Sequence, residues 1–88
     1  MAIPKINEED ITAAIKYIEE NGVPEKNKSS RYVLVTEEGK QYPTKYVIAV
    51  ANHLANGDNI ITDGFNAVEA KNYFETRGYN IESKQEKY

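Results

Sequence analysis

Residues 31–44 read Arg31-Tyr32-Val33-Leu34-Val35-Thr36-Glu37-Glu38-Gly39-Lys40-Gln41-Tyr42-Pro43-Thr44. The run Arg31 to Thr36 is rich in Tyr and Val and predicts a strand. Tyr32, Leu34 and Thr36 share one face of it; Val33 and Val35 share the other. Apolar side chains on both faces point to a central strand. Glu37-Glu38-Gly39 is a hairpin turn in which Gly39 supplies the positive φ. Lys40 to Tyr42 returns as a short second strand. Pro43 and Thr44 then open a helix, with Thr44 as its expected cap.

Outward from this hairpin the signals are helical. Upstream, Asn7 is a good N-cap, and Glu8, Glu9 and Asp10 favour the positive end of a helix dipole. Ile6 and Ile11 hold the staple positions around that cap. Ile11, Ala14, Ile15 and Ile18 form an i, i+3, i+4, i+7 stripe. Gly22 and Pro24 stop the helix, which spans 8–21. Downstream, Val47, Ile48, Val50, Ala51, Leu54 and Ala55 cover much of a second helix, closed by Asn56-Gly57. Ile60 and Ile61 are expected to pin the next loop to the core. Asn66 caps a third helix with Glu69 as its capping-box partner. Ala70, Tyr73 and Phe74 form its apolar face, and Gly78 stops it. Tyr79-Asn80-Ile81 is a last strand, expected beside the first. The order α-β-β-α-α-β implies a small α+β domain over 1–82: three helices and a three-stranded antiparallel sheet. Residues 83–88 read as a polar tail.

Eighty-eight residues hold one compact core. Cysteine is absent, which excludes disulfides, thiolate zinc sites and cysteine nucleophiles. One histidine, His53, cannot build a histidine metal cluster, and its i−4 and i+4 neighbours, Ala49 and Gly57, cannot orient an imidazole. Adjacent acid pairs such as Glu19-Glu20 do not face each other on a helix. No phosphate-binding glycine loop is present. The expectation is therefore a protein that is not an enzyme, with no metal and no cofactor. The longest apolar run, Tyr46 to Ala51, is far short of the roughly 20 residues of a membrane span. With no basic-then-apolar leader, a cytoplasmic location without membrane contact is expected.

Charge is uneven. The chain carries a net −3, but residues 26–46 place Lys26, Lys28, Arg31, Lys40 and Lys45 against only Glu37 and Glu38. A hairpin brings Ser29-Ser30-Arg31 near Tyr42 to Lys45, where the second helix begins. Hydroxyls, an arginine fork, lysines and a helix N-terminus describe a phosphate site. Its candidates are Lys28, Ser29, Ser30, Arg31, Lys40, Tyr42, Thr44 and Lys45, with Tyr42 stacking or shaping. Tyr17, Tyr32, Tyr42 and Tyr46 set aromatic groups beside the basic ones, as single-strand-binding surfaces do.

The same segment carries a family resemblance. Gly22-Val23-Pro24, Ser30 to Val35, Gly39-Lys40-Gln41-Tyr42-Pro43-Thr44-Lys45-Tyr46, Ala51-Asn52, Gly57, Phe65 and Arg77-Gly78-Tyr79-Asn80-Ile81 are laid out in a recognisable order. Together they resemble the N-terminal head domain of ScoMcrA-like HNH restriction endonucleases, which cleave modified DNA. The resemblance covers roughly residues 10–82. Two departures limit what it implies. That family usually has a Gly-Gly pair after the phenylalanine, where this chain has Asn66-Ala67-Val68. The nuclease and the modified-base or phosphorothioate reader lie downstream there, and neither is in this chain. The resemblance thus implies a non-catalytic accessory module of restriction or phage defence. Its partners would be DNA and a defence complex or downstream endonuclease domain. The alternative is a stand-alone phage or mobile-element protein that binds and inhibits a host defence complex, presenting Glu8, Glu9, Asp10, Glu19 and Glu20.

Overall fold

The computed structural model describes residues 3–25, 31–62 and 64–83. The chain runs α1 (Glu8–Asn21), β1 (Tyr32–Val35), β2 (Gln41–Pro43), α2 (Thr44–Asn56), α3 (Ala67–Glu75) and β3 (Asn80–Ser83). This is the expected order α-β-β-α-α-β. The sheet is antiparallel with order β2-β1-β3, so β1 is central and β3 docks against it. Ser83 belongs to β3, opposite Tyr32, rather than to a tail; residues 84–88 lie outside the described ones.

Leu34 stands between Tyr42 on β2 and Ile81 on β3. That row meets Ile11, Ala14 and Ile18 of α1, Val47, Ile48 and Val50 of α2, and Ala70 and Phe74 of α3 in one core. Val33, on the reverse face, is buried as well, which is why β1 is apolar on both sides. Ile60 packs on the core, but Ile61 is 54% exposed and does not pin the loop.

Local chemistry explains the element ends. In α1 the Asn7 side chain accepts from the Asp10 N–H (3.0 Å) while Asp10 accepts from the Asn7 N–H (2.9 Å). Asn66 and Glu69 repeat this box in α3. The hairpin turns through a three-residue loop: the Gly39 N–H donates to the Thr36 carbonyl, and Gly39 takes φ +86°. That is a type I turn followed by a left-handed residue, a geometry suited to glycine. The end of α3 is a Schellman closure, with Tyr79 N–H on the Phe74 carbonyl and Gly78 N–H on the Glu75 carbonyl. The Phe74 and Tyr79 rings meet edge to face at 5.4 Å across it.

One cap differs from expectation. Pro43, not Thr44, is the N-cap of α2, and Thr44 is its first helical residue. Strand β2 runs into the helix without a loop, so the Thr44 hydroxyl turns inward and donates to the Tyr32 carbonyl at 3.4 Å.

Candidate phosphate-binding face

The hairpin register decides which basic groups can act together. Val33 pairs with Pro43, and Thr44 reaches Tyr32. Arg31 and Lys45 are the next residues outward on the two chains, so both stand at the open end of the hairpin. Arg31 is exposed and Lys45 half-buried. Lys45 is itself in the first turn of α2. The helix's N-cap proline provides no side-chain hydrogen bond, and no acid occupies the turn. By contrast, capping boxes fill the starts of α1 and α3. Among the described residues, the α2 terminus thus keeps its positive dipole end without a side-chain acceptor, with Lys45 in its first turn and Arg31 just before β1. Such a group can take phosphate or carboxylate oxygens. Lys28, Ser29 and Ser30 lie outside the described residues.

Lys40 stands at the other end, opposite Thr36. Five residues of strand separate Thr36 from Arg31, roughly 16 Å. There Lys40 Nζ bridges Glu19 Oε2 at 3.3 Å and Glu38 Oε1 at 3.7 Å. The Tyr42 hydroxyl donates to the same Glu19 oxygen at 2.7 Å. Glu19 is held below the ordinary carboxylate range, first by the Tyr42 hydrogen bond and then by Lys40. Tyr42 is pushed up to about 12, by burial first and then by the bond to Glu19. Tyr42 is a core residue, 6% exposed, so its ring packs inside rather than offering a stacking surface. Thr44 is fully buried with its hydroxyl on Tyr32. Of the described candidates, Arg31 and Lys45 remain in reach of solvent, near the open end of the hairpin. Lys40, Tyr42 and Thr44 hold the hairpin to α1 and to itself.

The other tyrosines divide similarly. Tyr46 is buried. Tyr17 is partly buried, with its ring edge on the His53 ring at 6.4 Å. His53 itself donates from Nδ1 to the Asp58 carbonyl at 2.7 Å, tying the loop after α2 back to the helix.

The sequence reading missed Lys71. Helix α3 carries its Nζ to 5.7 Å from the centre of the Tyr32 ring, next to Arg31. It also bridges Glu75 at 3.2 Å and touches Asn72 Oδ1 at 3.3 Å. The i, i+4 spacing to Glu75 is legible in the sequence, whereas the approach to Tyr32 depends on how α3 crosses the sheet. A second unanticipated group is Arg77, whose guanidinium lies 3.7 Å above the Tyr73 ring. Among the described residues, no cluster of three His, Cys, Asp or Glu could hold a metal ion, and no helix is long and apolar enough to cross a membrane.

No protein-family model matches the chain, and neither does any curated protein or solved structure.

Proposed function

We propose that this chain is a non-catalytic binding module, related to restriction-endonuclease head domains, that contacts the phosphate backbone of DNA at the open end of its hairpin. The observation that carries this reading is the α2 N-terminus, which among the described residues has no side-chain cap and carries Lys45 in its first turn, with Arg31 just before β1. The guanidinium takes two phosphate oxygens in a planar fork, the lysine adds a point charge, and the helix N–H groups complete the cradle. Lys71 lies over the neighbouring Tyr32 ring but is paired with Glu75, so the field of this face rests on Arg31, Lys45 and the helix terminus. The head-domain resemblance supports nucleic acid over other anions.

A salt titration with labelled single- and double-stranded DNA, methylated and unmethylated, tests it. Affinity should fall with a log–log slope of about −2 to −4, as a few phosphate contacts require. Replacing both Arg31 and Lys45 with alanine should flatten that slope by about 1.5 to 2. Absence of binding at low salt, or binding unchanged in the double variant, overturns the reading. A pull-down yielding a defence protein without nucleic acid would instead favour the inhibitor alternative.

A further inference from the structure

We propose that the open cavity between the N-terminal segment and α3 is a pocket for a guanine base. This rests on the nucleic-acid reading and adds a base contact to it. The cavity, a shallow depression open to solvent, has a volume of about 350 Å³ and is lined by Ile3, Glu69, Asn72, Tyr73, Thr76 and Arg77. That is the lower end of the range for small-ligand pockets, about 300–1,000 Å³.

Arg77 is held in place. Its Nη1 donates to the Tyr73 carbonyl at 3.0 Å and to Thr76 Oγ1 at 3.2 Å, with the guanidinium over the Tyr73 ring. Among the described residues its Nε and Nη2 have no partner, which leaves two donors of the planar group for a ligand. Glu69 is also anchored: one oxygen accepts the Asn66 N–H at 3.0 Å, and the second is left for a ligand. Glu69 and Tyr73 are one helical turn apart, roughly 6 Å along α3, and Arg77 folds back to the level of Tyr73. An arginine with two unpartnered donors and a carboxylate with one unpartnered oxygen thus line the same cavity. Guanine matches both: O6 and N7 accept from an arginine fork, and N1–H and N2–H donate to a carboxylate. Adenine places a donor beside N7, and pyrimidines have no N7. A bare phosphate would gain from Arg77 but meet Glu69. Ile3 supplies apolar surface for a flat heterocycle, whereas the Tyr73 ring is taken up by the Arg77 guanidinium and the Phe74 ring. The cavity also adjoins the phosphate face: Asn72 lines it, Lys71 touches Asn72, and Lys71 lies over Tyr32 beside Arg31.

The test is a titration of the ¹⁵N-labelled chain followed by amide shifts. The probes are guanosine, guanosine monophosphate, adenosine, cytidine and inorganic phosphate. Guanosine, with or without its phosphate, should move Asn72, Tyr73, Thr76 and Arg77, with the other nucleosides weaker by about tenfold or more. Arg77→Lys keeps the charge but removes the fork, and Glu69→Gln keeps the cap acceptor but removes the charge. Each should weaken guanosine by about tenfold while the spectrum stays dispersed. Equal shifts from all nucleosides, the same shifts from phosphate alone, or no shift at these residues overturns the pocket. Oligothymidylate separates the two readings. If it binds while guanosine does not, the pocket falls and the phosphate face stands; the reverse result removes the phosphate face alone.

Discussion

The two ends of one hairpin use their charges in opposite ways. At the turn, Lys40 is tied to Glu19 and Glu38, and Glu19 is tied again by the buried Tyr42 hydroxyl. At the open end, Arg31 and Lys45 lie near a helix start that no side chain among the described residues caps. The basic residues are close in sequence and similar in type. What separates their roles is the neighbour that the fold supplies: α1 brings a carboxylate to the turn, whereas the start of α2 brings a positive dipole end to the mouth. A cation next to a carboxylate is neutralised as a ligand site, and one next to a helix N-terminus is reinforced.

The largest change should come from the residue that joins the two ends. Leu34 is 1% exposed and lies between Tyr42 and Ile81 in the core row. Leu34→Ala should cost about 3 kcal/mol, read as a lower urea midpoint, and loosen both ends together. Next in size is the binding contrast. The Arg31→Ala, Lys45→Ala double variant should weaken DNA binding by roughly ten- to a hundredfold at low salt, while Lys40→Ala leaves the affinity within about twofold. Equal losses in the two variants would erase the difference between the ends.

A smaller effect belongs to the turn end alone. Tyr42→Phe keeps the ring and removes the donor to Glu19, and should lower stability by about 1 kcal/mol without altering DNA affinity. The smallest effects are in pH. Tyr42 titrates higher folded than its ordinary 10, so its contribution is full below pH 10 and is lost as pH rises toward about 12. Glu19 titrates lower folded than its ordinary 4.5, so its contribution is full above that value and lost as pH falls through the depressed one. Denaturant midpoints measured across both windows should show shallower slopes for Tyr42→Phe than for the unchanged chain. Identical slopes would mean that the Tyr42–Glu19 bond does not couple to folding.

Most of the fold was readable because its signals are local. The limits of α1 follow from Asn7 at one end and Gly22 at the other, and the cap of α3 from Asn66 with Glu69. The centrality of β1 followed from valines on one face and Tyr32 and Leu34 on the other. The misreadings fall where a distant group intervenes. Thr44 has a good cap residue's chemistry, but the Tyr32 carbonyl twelve positions away takes its hydroxyl. Ile61 is apolar, yet the loop turns it outward beside the packed Ile60. Of the phosphate-site candidates, the position of Arg31 opposite the start of α2 was approximately legible from hairpin counting. The capture of Lys40 by Glu19, 21 residues away, was not.

By itself, the sequence determined the order of elements, their caps and turns, the apolar faces and the concentration of basic residues between 26 and 46. These depend on neighbours within about one helical turn or one hairpin, so they are written in spacing and residue type. Only the tertiary structure decided which charges are neutralised, which tyrosines are inside, that Lys71 reaches Tyr32, and that Arg77 lies on Tyr73 beside a cavity. The first three depend on how helices and strands cross. The last depends on a side-chain fold-back and a wall contributed by Ile3, 74 residues earlier, and no local pattern encodes such a meeting.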